Sequence, residues 1–593
     1  MKRQFYLFIG VMLGFQFATA QVSPILGTDQ SIQVTPRGIT GRLSGTLSPS
    51  NLYFGGGSFG SGGTGTQNTG IGSDRSMPLS GANNVMVGTV GGAARVDFSG
   101  SENTLIGTNV FGYIEPGNTA INGNVIVGFN AFTAPGTPFP RFTASYTTVI
   151  GAEAMRSTNE STYNTAIGAE AFSFPETGSP YTYGSTGINS VAYGVRALGN
   201  QRSGSDNVAY GYKAMEMSLG ADSCTAIGYL ALNKNVANGR MTAIGRSAME
   251  NTEANALGIN SFNVAIGYMS LVNVLSTGTN NVAIGRNALL NTSSGSSNTA
   301  AGFGALISNT TGAFNVGIGS GASNDNTTGT DNVAIGYRTL SGNKINTRNV
   351  AVGYEAMRYA DSRTTSGIQA YNTAVGYKAM HGSTTAANNT GANNVAIGDS
   401  VLVNVTSGSF NTVVGAFAGN NITTGSNNTV IGFGAEVPSG TSSNQVRIGN
   451  SAISYAGVQV AWTITSDRRL KENIKPIANG LAFIKALRPV VYHRTNNLMP
   501  DRELGFIAQE LQEVMPQLGI TNWGMIRSDD KGFLTVRYND LIAPIISAVQ
   551  EQQTQLDSGK KRRSTLKTIS VVDYNLLNAQ ADAILERFEN VTK

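Results

Sequence analysis

Ser466 and Lys471 stand five residues apart in the stretch TSDRRLKENI, after a long repeat tract. A serine hydroxyl is a poor nucleophile until a base takes its proton, and a lysine amine serves as that base once desolvation leaves it neutral. The chain has two histidines, His381 and His493, so a Ser-His-Asp relay is poorly supplied and a Ser-Lys pair is the more economical reading. Such a pair is expected to cut its own chain. The same residues would also suit a charged turn opening a helix, with Ser466 as N-cap and Arg469 and Lys471 as solvated neighbours.

The elements that must hold this pair begin where the repeats stop, around Ser451. Val458, Val460, Trp462 and Ile464 alternate as an extended strand running into Thr465-Ser466-Asp467. After Arg488-Pro489, Val490 to His493 and Leu504 to Ile507 read as strands, and Ala508 to Met515 as a short amphipathic helix. A hairpin is expected from Met525-Ile526 and Phe533 to Val536 around Ser528 to Gly532. His493 lies among core-like positions and reads as a packed or partly exposed residue, not a catalyst. Ile542, Ile545, Ile546, Val549 and Leu556 follow helical spacing, and Ile542, Val549 and Leu556 are seven apart. That pattern suits a coiled coil with two other chains, or a helix packed into its own domain. Lys560 to Arg563 read as a solvated basic linker, and Tyr574 to Phe588 as one more amphipathic helix with no assigned role.

From about Asn68 to Gly449 a nonamer-like phrase recurs: NTAIGAEAF, NVAYGYKAM, CTAIGYLAL, NVAIGRNAL, NVAIGYRTL. Its glycines, Gly194, Gly211, Gly228 and Gly245, then Gly285, Gly302, Gly319, Gly336 and Gly353, step by 17 residues within each series. A fixed period decides the architecture, and longer steps such as Gly353 to Gly376 leave room for loops. In Asn332 to Gly336 alternate residues point to opposite faces of a short strand, which gives an apolar inside row. A second short strand, as in Tyr337 to Leu340, is expected to lead into a polar corner. One coil cannot bury its own apolar row, so stability requires stacking. The expected fold class is mainly β: a repeat-built parallel β-roll or β-solenoid rod, trimeric, followed by a small α+β domain with C-terminal helices.

Composition agrees with this reading. Among 593 residues there are 74 glycines, 13 % charged residues and 40 % apolar ones, which favours β-structure and turns over charge-driven disorder. A net charge of +5 over this length does not argue for nucleic acid. Lys2 and Arg3, an apolar run from Phe5 to Phe17, and Ala18-Thr19-Ala20 make residues 1–20 a secretory signal peptide removed after Ala20, so a secreted or surface location is expected. No other stretch is long and apolar enough to span a bilayer. The single cysteine, Cys224, replaces a repeat asparagine and reads as a small packed residue. No metal or cofactor is expected. Glu153, Glu170 and Glu355 recur on repeat surfaces without the pairing that glycan hydrolysis needs. Tyr193, Tyr210 and Tyr354 offer flat faces to sugars, but their recurrence at one repeat position favours a structural ladder. The expected divisions are a signal peptide (1–20), a Gly/Ser-rich segment (21–65), the repeat tract (66–450), a connecting strand (451–465), the Ser-Lys domain (466–556), and a basic linker with a final helix (557–593).

Ser466-Asp467-Arg468-Arg469-Leu470-Lys471 and Ile474, then GFIAQE at 505–510 and YNDLI at 538–542, resemble the chaperone-of-endosialidase family, the self-cleaving C-terminal domain of phage tailspikes and tail fibres. The resemblance implies an intramolecular chaperone that brings three chains together, promotes folding of the preceding rod and releases itself. Ser466 matches the family's nucleophile and Lys471 its base. Asp467 and Arg469 match accompanying positions with a positioning or charge-balancing role, and Arg468 falls on a variable one. The repeats are similar to head repeats of trimeric autotransporter adhesins. The repeat is longer here, and the chain ends in Val591-Thr592-Lys593 without those adhesins' outer-membrane barrel, so self-translocation is not expected. The resulting expectation is a secreted homotrimeric fibre or adhesin-like protein that partners itself and a surface glycan. A glycan-binding or glycan-degrading tailspike and a purely structural fibre stand as alternatives.

Overall fold

The computed structural model describes short strands at 33–35 and 38–39. From 51 to 589 it describes all residues except 55–64, 72–79, 91–98, 111–120, 134–142, 157–159, 174–186, 253–259, 274–276, 360–366, 386–387, 454, 461, 494, 496–501, 521–523, 529–531 and 567–573. The expected signal peptide and most of the Gly/Ser-rich segment lie outside the described residues. The chain divides into two compact units, Met1–Ser407 and Gly408–Lys593.

From Val125 to Ile397 the main ladder of the first unit is built of three-residue strands, each paired in parallel with those of the coils before and after it. Val333–Ile335 pairs residue for residue with Val316–Ile318 and with Val350–Val352. The middle alanine, Ala334, is fully buried, while Ile335 on the opposite face is 37 % exposed. The period-2 alternation thus places the small residue inside. Alanine suffices there because the rest of the interior is filled from further along the coil, by Ala288 and Leu289, Ala305 and Leu306, and Leu340.

The three-residue strands of this ladder end at a glycine in a backbone region that side chains rarely adopt. Gly285 has φ 125°, and a Cβ built on it would sit 2.7 Å from the carbonyl oxygen of Gly302 on the next coil. Beyond the glycine the structure departs from the expected second strand. Tyr337 to Leu340 form a run of turns, because Arg338 and Leu340 take left-handed backbone angles (φ 48° and 51°) that break the pleat. The backbone donors are still satisfied between coils: Arg338 N–H reaches Ser320 O at 3.0 Å and Leu340 N–H reaches Ala356 O at 2.9 Å.

A buried asparagine enters each of many strands and seals the coil below it. Asn332 donates through N and Nδ2 to Asn315 Oδ1 (3.1 and 3.2 Å) and through Nδ2 to Asn346 O (2.9 Å). Its own Oδ1 accepts from N and Nδ2 of Asn349 (3.1 and 3.2 Å). Asparagine suits the place because one amide offers both a double acceptor and two donors.

The second unit opens on three strands of the same kind, Thr412–Val414, Thr429–Ile431 and Val446–Ile448, again parallel and in register. The expected connecting strand is absent: the described residues of 451–465 contain no strand, and Val458, Val460, Trp462 and Ile464 are exposed. A strand needs a neighbour to complete its ladder, and this segment pairs with none in the single chain.

A small α+β region follows, with α1 (Gly480–Ala486), β1 (Val490–Tyr492), β2 (Glu503–Gly505), α2 (Ala508–Gln517), β3 (Ile526–Ser528), β4 (Leu534–Val536), α3 (Ile542–Leu566) and α4 (Tyr574–Glu589). β1 with β2 and β3 with β4 form antiparallel pairs. Phe483 of α1, Met515 of α2, Met525 and Leu541 form the core, with Phe506, Ile526 and Val536 packed against it. The expected hairpin and helices are present, but Lys560 to Arg563, expected as a linker, are helical, because the helix that follows the YNDLI stretch runs on to Leu566. Among the described residues no helix is long and apolar enough to cross a membrane.

Candidate functional site

Ser466 and Lys471 meet. Lys471 Nζ donates to Ser466 Oγ at 2.5 Å. A short 3-10 helix, Arg468–Leu470, makes this contact local: its single turn brings Lys471, five positions further on, back over Ser466. Asp467, not Ser466, is its N-cap, with Oδ1 accepting from the Arg469 amide at 2.8 Å. The turn closes through Leu470 N–H to Asp467 O (3.2 Å) and Lys471 N–H to Arg468 O (3.1 Å).

Asp467 and Arg469 also pair with each other. Arg469 Nε donates to Oδ1 at 3.1 Å and Nη2 to Oδ2 at 2.7 Å, a two-pronged contact. The guanidinium and the capped amide of Arg469 hold the Asp467 carboxyl below the usual carboxylate range. The charge of Arg469 is therefore matched by Asp467 and is not free to act on the Lys471 amine. Ser466 and Lys471 both face solvent in the single chain, flanked by exposed Trp462, Ile464, Leu470 and Ile474.

The later motif blocks tie into the domain core. The Tyr538 hydroxyl accepts from the Phe506 amide at 3.1 Å, which joins the YNDLI and GFIAQE stretches. A Cβ on Gly505 would lie 2.4 Å from that hydroxyl, so a side chain there would have to displace the Tyr538 ring end. Glu510 pairs with Arg488, whose guanidinium holds the Glu510 carboxyl below its ordinary range. From α3, Glu551 caps α1 through the amides of Gly480 (2.7 Å) and Leu481 (3.1 Å). His493 sits exposed just past β1.

The other residues singled out from the sequence lie in the first unit. Glu153 pairs with Arg156 at 3.0 Å and Glu170 with Arg196 at 2.7 Å. Glu355 is buried among Arg358, Lys378 (3.9 Å) and His381 (3.5 Å). Tyr193 stacks on Tyr210 at 4.7 Å between centroids, each just before its turn glycine, whereas Tyr354, just after Gly353, lies between Tyr337 and Tyr377 at 5.2 Å from each; the tyrosines form two ladders, not one repeat position as expected. Cys224 is buried, its thiol pushed up to about 11 by desolvation, and its amide takes the asparagine rung position on Asn207 Oδ1 at 2.9 Å. Sequence reading missed a column at the residue after the turn glycine, where Arg246 and Arg286 interleave with aromatic rings. Its signal was present in that one position taken phrase by phrase.

Residues 466–520 match the family described as chaperone of endosialidase. The match opens on Ser466, includes Lys471 and runs from the 3-10 helix through α2; the YNDLI stretch lies beyond it. A β-solenoid followed by a chaperone-of-endosialidase segment is thus the class this chain presents. No curated protein and no solved structure matches the chain.

Proposed function

We propose that the chain is a secreted, homotrimeric fibre or adhesin-like protein whose C-terminal domain serves as an intramolecular chaperone and then releases itself by autoproteolysis. The observation that carries this reading is the 2.5 Å contact between Lys471 Nζ and Ser466 Oγ at the first residues of the family match. In the proposed reaction Ser466 Oγ attacks a backbone carbonyl carbon as the neutral amine of Lys471 takes its proton. The C–N bond breaks, Lys471 returns the proton to the leaving amine, and water hydrolyses the resulting ester to regenerate the hydroxyl. Holding the scissile bond in the same assembly replaces a separate substrate site.

Assembly enters through the amine. A lysine is a base only when neutral, and burial favours the neutral form. Three chains closing over Trp462, Ile464, Leu470 and Ile474 would dry the pair. α3 supports such closure: it turns Ala548 and Glu551 inward while Ile542, Ile545, Ile546, Val549 and Leu556 remain 46–59 % exposed. An apolar row of this kind is suited to a coiled coil with the same helix of two other chains.

The test is intact-mass measurement of the refolded chain lacking residues 1–20, with light scattering to give the number of chains. Wild type is expected to yield two fragments, while Ser466→Ala and Lys471→Ala remain whole yet trimeric. Uncut wild-type protein would end the peptidase reading, and a folded monomer would end the chaperone reading.

A further inference from the structure

The residues that follow the turn glycines of six successive coils, Tyr212, Tyr229, Arg246, Tyr268, Arg286 and Phe303, form one exposed column in the first unit. Tyr212 stacks on Tyr229 at 5.3 Å with the ring planes 12° apart. The Arg246 guanidinium then lies 5.4 Å from the Tyr229 ring and 5.7 Å from the Tyr268 ring. Arg286 repeats this between Tyr268 (5.5 Å) and Phe303 (5.7 Å). Each cation is held between aromatic rings on the coils to either side.

Arg246 and Arg286 differ from Arg240 and Arg338, which each meet a single ring, in lying between two. Arg196, Arg348 and Arg358 each have a carboxylate partner. Arg246 and Arg286 form no ion pair among the described residues. Rings on both sides leave the N–H edges as the part of each guanidinium open to a ligand. Two unpaired guanidinium edges facing solvent are suited to two carboxylates.

Spacing narrows the ligand. The strands of these coils pair consecutively, so Arg246 and Arg286 are two coils apart, roughly 9.5 Å at the usual distance between neighbouring strands. That is comparable to the advance of one disaccharide along an extended polysaccharide. We infer that this column binds an acidic polysaccharide carrying one carboxylate per disaccharide, laid along the stacking direction. The carboxylates meet Arg246 and Arg286, and the sugar hydroxyls meet the phenol groups of Tyr229 and Tyr268. Single-stranded nucleic acid fits less well, because its bases need free ring faces and these faces are already covered by their neighbours.

The test uses the assembled full chain and hyaluronan oligosaccharides, with dextran and oligo-dT as comparison polymers, followed by titration calorimetry. Hyaluronan is expected to bind, more weakly as salt rises, and dextran is not. Arg246→Gln with Arg286→Gln should weaken binding at least about tenfold, as loss of two charge-assisted contacts requires. Arg246→Lys with Arg286→Lys, which keeps the charge but not the planar edge, should also weaken it. Ser466→Ala should bind like wild type, so the result is independent of cleavage. Absence of hyaluronan binding, equal binding by the lysine variant, or tighter binding of oligo-dT would overturn the inference. So would a changed number of chains in the glutamine variant, which would make the column a contact between copies.

Discussion

Asn332 carries two coils at once, since its amide receives the chain above and holds the chain below. Replacing it by alanine strands the buried backbone N–H and Nδ2 of Asn349, while the Asn346 carbonyl keeps the Asn343 amide, at about 1–3 kcal/mol for each group left unpaired. Asn332→Ala is therefore expected to cost about 3 kcal/mol, measured by denaturant melting of the full chain, whereas substitution of the exposed Tyr337 on the same coil should cost far less. His381 gives a pH response. Burial lowers its pKa below 6.5; Glu355 opposes this, and Lys378 and Arg358 reinforce it. A depressed histidine contributes stability that is present above its unfolded pKa and is lost as pH falls below that value, because the unfolded chain then binds the proton more readily. The melting temperature should accordingly drop between pH 7.5 and 5.5 by more in wild type than in His381→Gln, two values chosen as roughly one unit either side of the ordinary histidine pKa.

At the scale of elements, close backbone approach is the common device of both units. Gly336 has φ 130°, and a Cβ there would lie 2.1 Å from Gly353 O, so Gly336→Ala meets both a left-handed backbone and a clash with the next coil. Limited proteolysis of this variant should open new cuts within residues 336–353, and a protease map identical to wild type would contradict the packing argument. In the second unit a Cβ on Gly480 would meet Ser547 Oγ at 2.6 Å and the Ala548 amide at 2.9 Å. Gly480→Val should push α1 off α3 and break the Glu551 cap, while leaving the 3-10 turn at Ser466 untouched. If cleavage depends on assembly of this domain, that variant remains uncut with both members of the Ser-Lys pair in place, as intact mass would show.

For the whole molecule the decisive quantity is whether one chain suffices. The Ser-Lys pair is formed within a single chain yet stands in solvent beside an apolar surface, so the geometry is local and the drying is not. The proposed reaction should therefore run faster as chain concentration rises during refolding, until assembly ceases to limit it. Half-times independent of concentration, followed by gel densitometry, would place the complete reaction in one chain and remove the role given to assembly.

Features that depend on neighbours along the chain were legible in its residues. The 17-residue step and the V-A-I-G alternation define a stacked coil with alanine inside, and five-residue spacing lets one turn return Lys471 to Ser466. Tertiary structure decided whatever depends on which coil or element lies opposite. Left-handed residues after the glycine turned an expected strand into turns, since carbonyls of the coils before and after satisfy that backbone. Asp467 took the cap and the Arg469 charge because the 3-10 turn placed that amide and that guanidinium at its carboxylate. The alternating run from Val458 to Ile464 formed no strand, because alternation specifies a face but cannot supply the neighbouring strand that a ladder requires.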